Sequence, residues 1–192
     1  MGDTDIYLID QIMKGRYGQL DTILDAGCGG GRNLHWFLQN NSLIYGVDRD
    51  ENAIGQLQSS YPALAERFWQ APVEKLPFGD NDFNHVISSA VLHFAENTQH
   101  FHNMVTEMLR VLRPSGSLFI RMTSDIGIEH SVQLIEDGVY FIPDGSQRFL
   151  LTRQLLSDLV QQHKLLLLEP LKTVNVSDVR CMSTLVLGKP SY

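Results

Sequence analysis

The stretch Ile23-Leu24-Asp25-Ala26-Gly27-Cys28-Gly29-Gly30-Gly31-Arg32-Asn33 decides how the rest of the chain is read. A short apolar run ends in an acid, and a loop with four glycines follows at once. Leu34-His35-Trp36-Phe37-Leu38 then reads as the first turns of a long helix running to about Asn40. Strand, tight turn and helix start together bring bare backbone up to a nucleotide-like ligand. Glycine suits such a turn because it accepts positive φ and has no Cβ to hold a ligand away.

Working outward, the chain alternates between strand-like and helix-like segments. Before the loop, Ile6, Leu8, Ile9, Ile12 and Met13 mark a short amphipathic helix that Asp3 or Thr4 is expected to cap. After it, Leu43–Asp48 is a second apolar run ending in an acid, and Asp50 is placed to cap a helix from Glu51 to about Ser60. A third strand is expected near Arg67–Gln70 and a fourth over Phe83–Ser89, the latter central because it is apolar on both faces. Phe101, Met104, Val105, Met108, Leu109 and Leu112 form one helical stripe, stopped by Arg113-Pro114-Ser115-Gly116. A fifth strand covers Ser117–Met122.

This alternation argues an α/β fold with a mostly parallel sheet. The pattern then breaks. Val139–Ile142 and Gln147–Leu150 flank Pro143-Asp144-Gly145-Ser146 and read as a β-hairpin inserted after the fifth strand. Thr152 looks like an N-cap, and late strands are expected over about Leu165–Val174 and Cys181–Gly188. We read residues 1–192 as a single domain, with 1–20 a helical cap and 123–151 a substrate-side insertion.

Composition narrows the partners. Lys and Arg total 15 against 22 Asp and Glu, a net charge of −7, which disfavours nucleic acid because phosphate binding needs a basic face. The apolar runs are too short to span a membrane. Met1–Asp5 lacks the basic and apolar regions of a signal peptide, and two cysteines make no disulfide framework, so a reducing cytoplasm is the expected location. No metal site is expected, and a monomer and a homodimer are both compatible with the sequence.

From Leu24 to about Ile120 the sequence resembles the class I S-adenosylmethionine-dependent methyltransferases. Asp25-x-Gly27-x-Gly29-x-Gly31, Asp48, Glu74-Lys75-Leu76-Pro77-Phe78, Asp82–Ile87 and Leu109–Gly116 carry the match in the right order. The resemblance implies a Rossmann-like seven-stranded sheet whose last strand is antiparallel. It also implies a small-molecule enzyme of the Leu-Pro-Phe loop type, with S-adenosyl-L-methionine as cofactor and S-adenosyl-L-homocysteine as product. On this reading Gly27, Cys28 and Gly29 pack on the methionine portion, Asp25 orients its ammonium, and Asp48 accepts from the ribose hydroxyls with Arg49 beside it. Ser89 or Ala90 lines the donor pocket, and Arg16, from the N-terminal cap, is a candidate for the methionine carboxylate. Family members commonly carry Asp at the position of Pro72, where it holds the adenine amino group. Here the adenine is expected at Val73 or Glu74 instead, with Gln70 as an alternative. A dinucleotide-binding reading fits less well, because its third glycine falls on Arg32.

Methyl transfer from a sulfonium needs alignment and dryness more than a base. His93, just beyond the fourth strand, is the candidate general base, its plainer alternative being packing beside Phe94. Phe94, Arg121, Tyr140 and Arg148 are candidate substrate-side residues, the arginines suiting a carboxylate or phosphate. An unidentified small-molecule acceptor is the first reading. The alternatives are a cofactor-binding protein without turnover and an RNA or protein methyltransferase.

Overall fold

A computed structural model describes residues 2–191. Met1 and Tyr192, the two ends of the expected domain, lie outside the described residues. The chain opens with helix α1 (Ile6–Met13), strand β1 (Thr22–Ala26), helix α2 (Leu34–Gln39), strand β2 (Leu43–Asp48) and helix α3 (Glu51–Ser60). Strands β3 (Phe68–Gln70) and β4 (Phe83–Ser89) precede helix α4 (Thr98–Val111) and strand β5 (Leu112–Ser124). Three short strands follow, β6 (Gln133–Glu136), β7 (Val139–Phe141) and β8 (Gln147–Phe149). Helix α5 (Arg153–Gln162) and strands β9 (Leu166–Leu167), β10 (Lys172–Val176) and β11 (Arg180–Gly188) complete it.

The main sheet runs β10-β11-β5-β4-β1-β2-β3. From β3 to β5 every neighbour is parallel, whereas β11 pairs antiparallel with both β5 and β10. The expected seven-stranded sheet with an antiparallel last strand is therefore present, with one elaboration. The outer edge of β11 is covered by two pieces, β10 against Arg180–Thr184 and β9 against Leu187 and Gly188. Glu169-Pro170 separates them, and a proline breaks such an edge because it has no N–H to give the ladder.

Side chains alternate across the sheet with period two. Leu24, Val86 and Ile120 face α4 and α5, while Ile23, Ile87 and Phe119 face α1, α2 and α3. Both faces are covered, which is why the successive residues Val86 and Ile87 of β4, pointing to opposite faces, are both fully buried. The expected caps at Asp50 and Thr152 are formed, each side chain accepting backbone N–H groups of its helix.

Four local expectations are corrected. Asp5, not Asp3 or Thr4, caps α1, its Oδ1 accepting from the Tyr7 N–H at 2.9 Å. Helix α2 spans six residues only, and the buried Asn33 side chain before it does not cap the helix but accepts from the Asp5 N–H. Strand β5 begins at Leu112, and Arg113–Gly116 bulges between the Phe83–Leu112 and His85–Ser117 pairs instead of forming a free turn before the strand. The insertion is a three-stranded sheet, not a hairpin, because the wholly exposed β6 adds to β7. A bridge between Ser124 and Leu151 closes the base of this insertion, and Phe149 stacks on Phe101 of α4 at 5.0 Å.

Candidate functional site

A cavity of about 860 Å³ opens at the carboxyl ends of β1, β2, β3 and β4. That is the end of an open parallel sheet where ligands sit, and the volume suits a small ligand with a cofactor-sized partner. Gly27, Cys28, Gly29, Asp48, Arg49, Val73, Glu74, Ser89 and Phe94 all line it, as expected from the sequence.

The glycine loop shapes the wall. Gly27 has φ +86°, and a Cβ there would come within 2.3 Å of the Val91 side chain. Gly29 also has positive φ, and its N–H donates to Asp48 Oδ2 at 2.7 Å. Asp48 Oδ1 accepts from the Asp50 N–H, so the carboxylate is held from both sides with lone pairs left over for a ligand. Cys28 is buried, and burial pushes its thiol up, which makes it a small wall residue and no nucleophile.

Asp25 lies behind this wall, fully enclosed, and neither carboxylate oxygen has a hydrogen-bond partner. Burial raises its pKa to about 7, opposed by the Arg32 guanidinium and assisted by the Asp48 charge. Arg32 itself lines the cavity, with Nη2 3.4 Å from Ser89 Oγ. A buried acid without a partner under a glycine turn is a place for a cation.

The N-terminal segment is tied to the same wall. Thr4 Oγ1 donates to the Arg32 carbonyl, and Asp5 Oδ2 accepts from Arg121 Nη1 at 2.7 Å and from Ser89 Oγ at 3.3 Å. Gly2 and Asp3 line the cavity. The guanidinium of Arg121 also lies over the Tyr7 ring. Arg121 is thus a clamp on the N-terminal segment and is corrected from the substrate side. Arg16 is corrected too. It turns to Gln11 and Glu169, far from the glycine loop, where Lys14 and Lys172 join the same carboxylate.

His93 is not on the wall. It is buried, and Thr123 Oγ1 meets its Nδ1 at 3.1 Å. Burial, reinforced by Arg148, Arg180 and Arg121, lowers its pKa to about 4, so it is a weak base. The candidate role in proton abstraction is therefore withdrawn in favour of packing, with the Phe94 ring 4.5 Å away. Tyr140 and Arg148 pair across β7 and β8 and also lie off the wall, but the Arg148 guanidinium covers the Phe94 ring at 5.1 Å. The insertion reaches the cavity through that contact.

Residues unforeseen in the sequence complete the lining. His35, Val91, His100 and Met104 belong to it, together with Pro72 of the expected adenine loop and Ala90, the alternative to Ser89, which holds φ +65° at the end of β4. His100 and Met104 are one turn apart on α4, a spacing that put them on one face, but Met104 looked like core alone. Among the described residues no group of three or more His, Cys, Asp or Glu side chains is placed to hold a metal. Among the described residues no helix is long and apolar enough to cross a membrane.

The model of the methyltransferase domain family matches residues 24–120, from the glycine loop through β5. The chain belongs to that family. With the strand order above, its fold is that of the class I S-adenosylmethionine-dependent methyltransferases. An uncharacterised methyltransferase of Synechocystis is 31% identical over 94 residues, covering 49% of this chain and 43% of that protein. The Bacillus subtilis methyltransferase YodH is 34% identical over 113 residues, or 58% of this chain and 44% of that one. This methyltransferase chain therefore spans less than half the length of those two relatives. Among solved structures, the 1,6-didemethyltoxoflavin-N1-methyltransferase of Burkholderia thailandensis, with bound 1,6-didemethyltoxoflavin and S-adenosylhomocysteine, superposes with a TM-score of 0.71. The match covers 95% of this chain and 75% of that one at 20% identity, a likeness of fold.

Proposed function

We propose that this chain transfers a methyl group from S-adenosylmethionine to a small-molecule acceptor. The observation that carries the reading is the orphaned Asp25 carboxyl beneath a glycine loop whose neighbour Asp48 is pre-organised at the next strand end. The donor set fits the cofactor, which carries an ammonium, two ribose hydroxyls and a flat base. When bound, S-adenosylmethionine supplies a methyl group already activated on a sulfonium.

The residues then divide the work. Asp25 balances the ammonium, and Arg32, at the exit of the loop, faces the carboxylate. Asp48 accepts from the ribose hydroxyls. Gly27 and Gly29 let the backbone come close. Ser89, Ala90, Val91 and Phe94, at the end of β4, shape the space for the reacting atoms and keep water out. None of these four is a base, so the protein contributes alignment, worth several orders of magnitude when the geometry is right.

A small acceptor is favoured by the acidic balance of the chain and by the insertion that backs the wall residue Phe94 through Arg148. The small heterocycle held by the Burkholderia neighbour is consistent with this. Arg148, which pairs with no carboxylate at 4 Å or less, is the specificity residue to test first, through acceptors with and without an acidic group. Two free, buried cysteines agree with a reducing, cytoplasmic setting.

Isothermal titration with S-adenosylmethionine and S-adenosylhomocysteine is expected to show one site per chain. Release of S-adenosylhomocysteine over a panel of small acids, amines, thiols and phenols then identifies the acceptor. Binding without turnover on any acceptor would point to the non-catalytic alternative. No binding would remove the cofactor assignment.

A further inference from the structure

Family members commonly read the adenine amino group with an acid in the loop after β3, and this chain has Pro72 there. Proline offers neither an N–H nor a side-chain acceptor. The structure supplies a different pair at the same end of the cavity. Asp48 stands at the end of β2, and β3, the next strand outward, leads into Pro72, Val73 and Glu74. Helix α4 packs beside this loop and brings His100 and Met104 to the same part of the wall.

His100 has a defined tautomer. Its Nδ1 accepts from the Glu96 N–H at 3.2 Å, which places the proton of the neutral ring on Nε2. That Nε2 is buried and hydrogen-bonds to nothing, and Glu74 Oε2 is 3.5 Å from it without hydrogen-bond geometry. A buried donor and a carboxylate acceptor therefore stand side by side on the wall, both with capacity to spare. The Met104 thioether beside them is soft enough to lie against a flat ring.

We propose that Glu74 and His100 together read the adenine ring, replacing the missing loop acid. The proposal rests on the cofactor reading above. Adenine presents an amino donor next to a ring-nitrogen acceptor on one edge. Glu74 accepts from the amino group, and His100 Nε2–H donates to the neighbouring nitrogen. Hypoxanthine carries an oxygen in place of the amine, which would set acceptor against acceptor at Glu74. A site built this way rejects the deaminated ligand because its own polar groups are left unpaired.

The test is calorimetric titration of S-adenosylhomocysteine and of its deaminated counterpart, S-inosylhomocysteine. Wild-type protein is expected to prefer the adenine form by about tenfold or more. Glu74→Ala and His100→Ala are each expected to weaken S-adenosylhomocysteine by about tenfold and to bring the preference close to unity. His100→Gln, which keeps an N–H donor, is expected to restore most of it. A wild type that binds both ligands equally well overturns the proposal and leaves the cofactor reading standing. So does a preference that survives both alanine variants, since the Val73 backbone would then be reading the ring. A folded wild type that binds neither ligand overturns the cofactor reading, and this proposal with it.

Discussion

Asp25 and His93 were both legible as polar residues near a strand end, yet their surroundings give them opposite characters. Burial raises the Asp25 carboxyl to about 7 and lowers the His93 imidazole to about 4, so each is pushed towards its neutral form. For Asp25 the consequence has a definite sign. Between about pH 4 and pH 7 the folded chain keeps a proton that the unfolded chain releases, so stability falls as pH rises through that window and levels off above it. The slope is at most about 1.4 kcal/mol per pH unit. Asp25→Asn is expected to abolish this slope in ligand-free protein, as read from urea midpoints between pH 4 and 8. Wild type is expected to gain S-adenosylhomocysteine affinity as the carboxyl ionises through about pH 7, and Asp25→Asn is expected to abolish that gain. Only the identity of Asp25, not its isolation, can be seen in Leu24-Asp25-Ala26. Likewise the sequence puts His93 beside the strand end, but the 3-10 turn Leu92–Phe94 sends its ring inward to Thr123.

At the level of elements, α1 is held at two points. Asp5 joins it to Ser89 of β4 and Arg121 of β5, and Glu169 gathers Lys14, Arg16 and Lys172 at its far end. Partial burial works against the Glu169 charge, but hydrogen bonds from Lys14, Lys172 and Gln11 overcome it and hold its carboxyl down to about 2. Asp5 is the more consequential of the two, because its side chain is 1% exposed and Arg121 has no other carboxylate. Asp5→Ala is expected to cost about 3 kcal/mol, the range for stranding one member of a buried pair. Hydrogen exchange should quicken over Ile6–Met13 ahead of the sheet, and Glu169→Gln should affect mainly the distal end of the helix. The strands that build the site were readable because apolar runs ending in Asp25 and Asp48 are local signals. The N-terminal clamp was not, since Arg121 and Asp5 are 116 positions apart and nothing in either neighbourhood names the other. The third strand of the insertion was missed for a related reason: β6 is exposed along its whole length, so it carries no burial pattern.

For the whole molecule, the net charge of −7 bears on what it can hold. A macromolecular acceptor bound through phosphates would lose affinity by orders of magnitude as salt rises, whereas a small acceptor enclosed in the cavity would feel little of it. The KM for the acceptor is expected to change by less than about threefold between 50 and 200 mM salt. A steep loss over that range would favour the RNA reading. Most of the sheet follows from alternating apolar segments, because a parallel sheet covered on both faces imposes them. The broken edge at Glu169-Pro170 depends on which strand β11 happens to meet, and it became visible only once the strands were in place.

The placing of Gly2 and Asp3 on the cavity wall also has a practical side. An extension added at the amino end would start from the wall residues Gly2 and Asp3, next to the space that acceptor and cofactor are proposed to fill. The other terminus leaves from the opposite end of the sheet, where the Lys189 carbonyl meets the Ser115 N–H and Ser191 faces solvent. A purification tag therefore belongs at the carboxyl end of the chain. A tag at the amino end that lowered ligand affinity, with recovery on its cleavage, would map the entrance without any substitution in the chain.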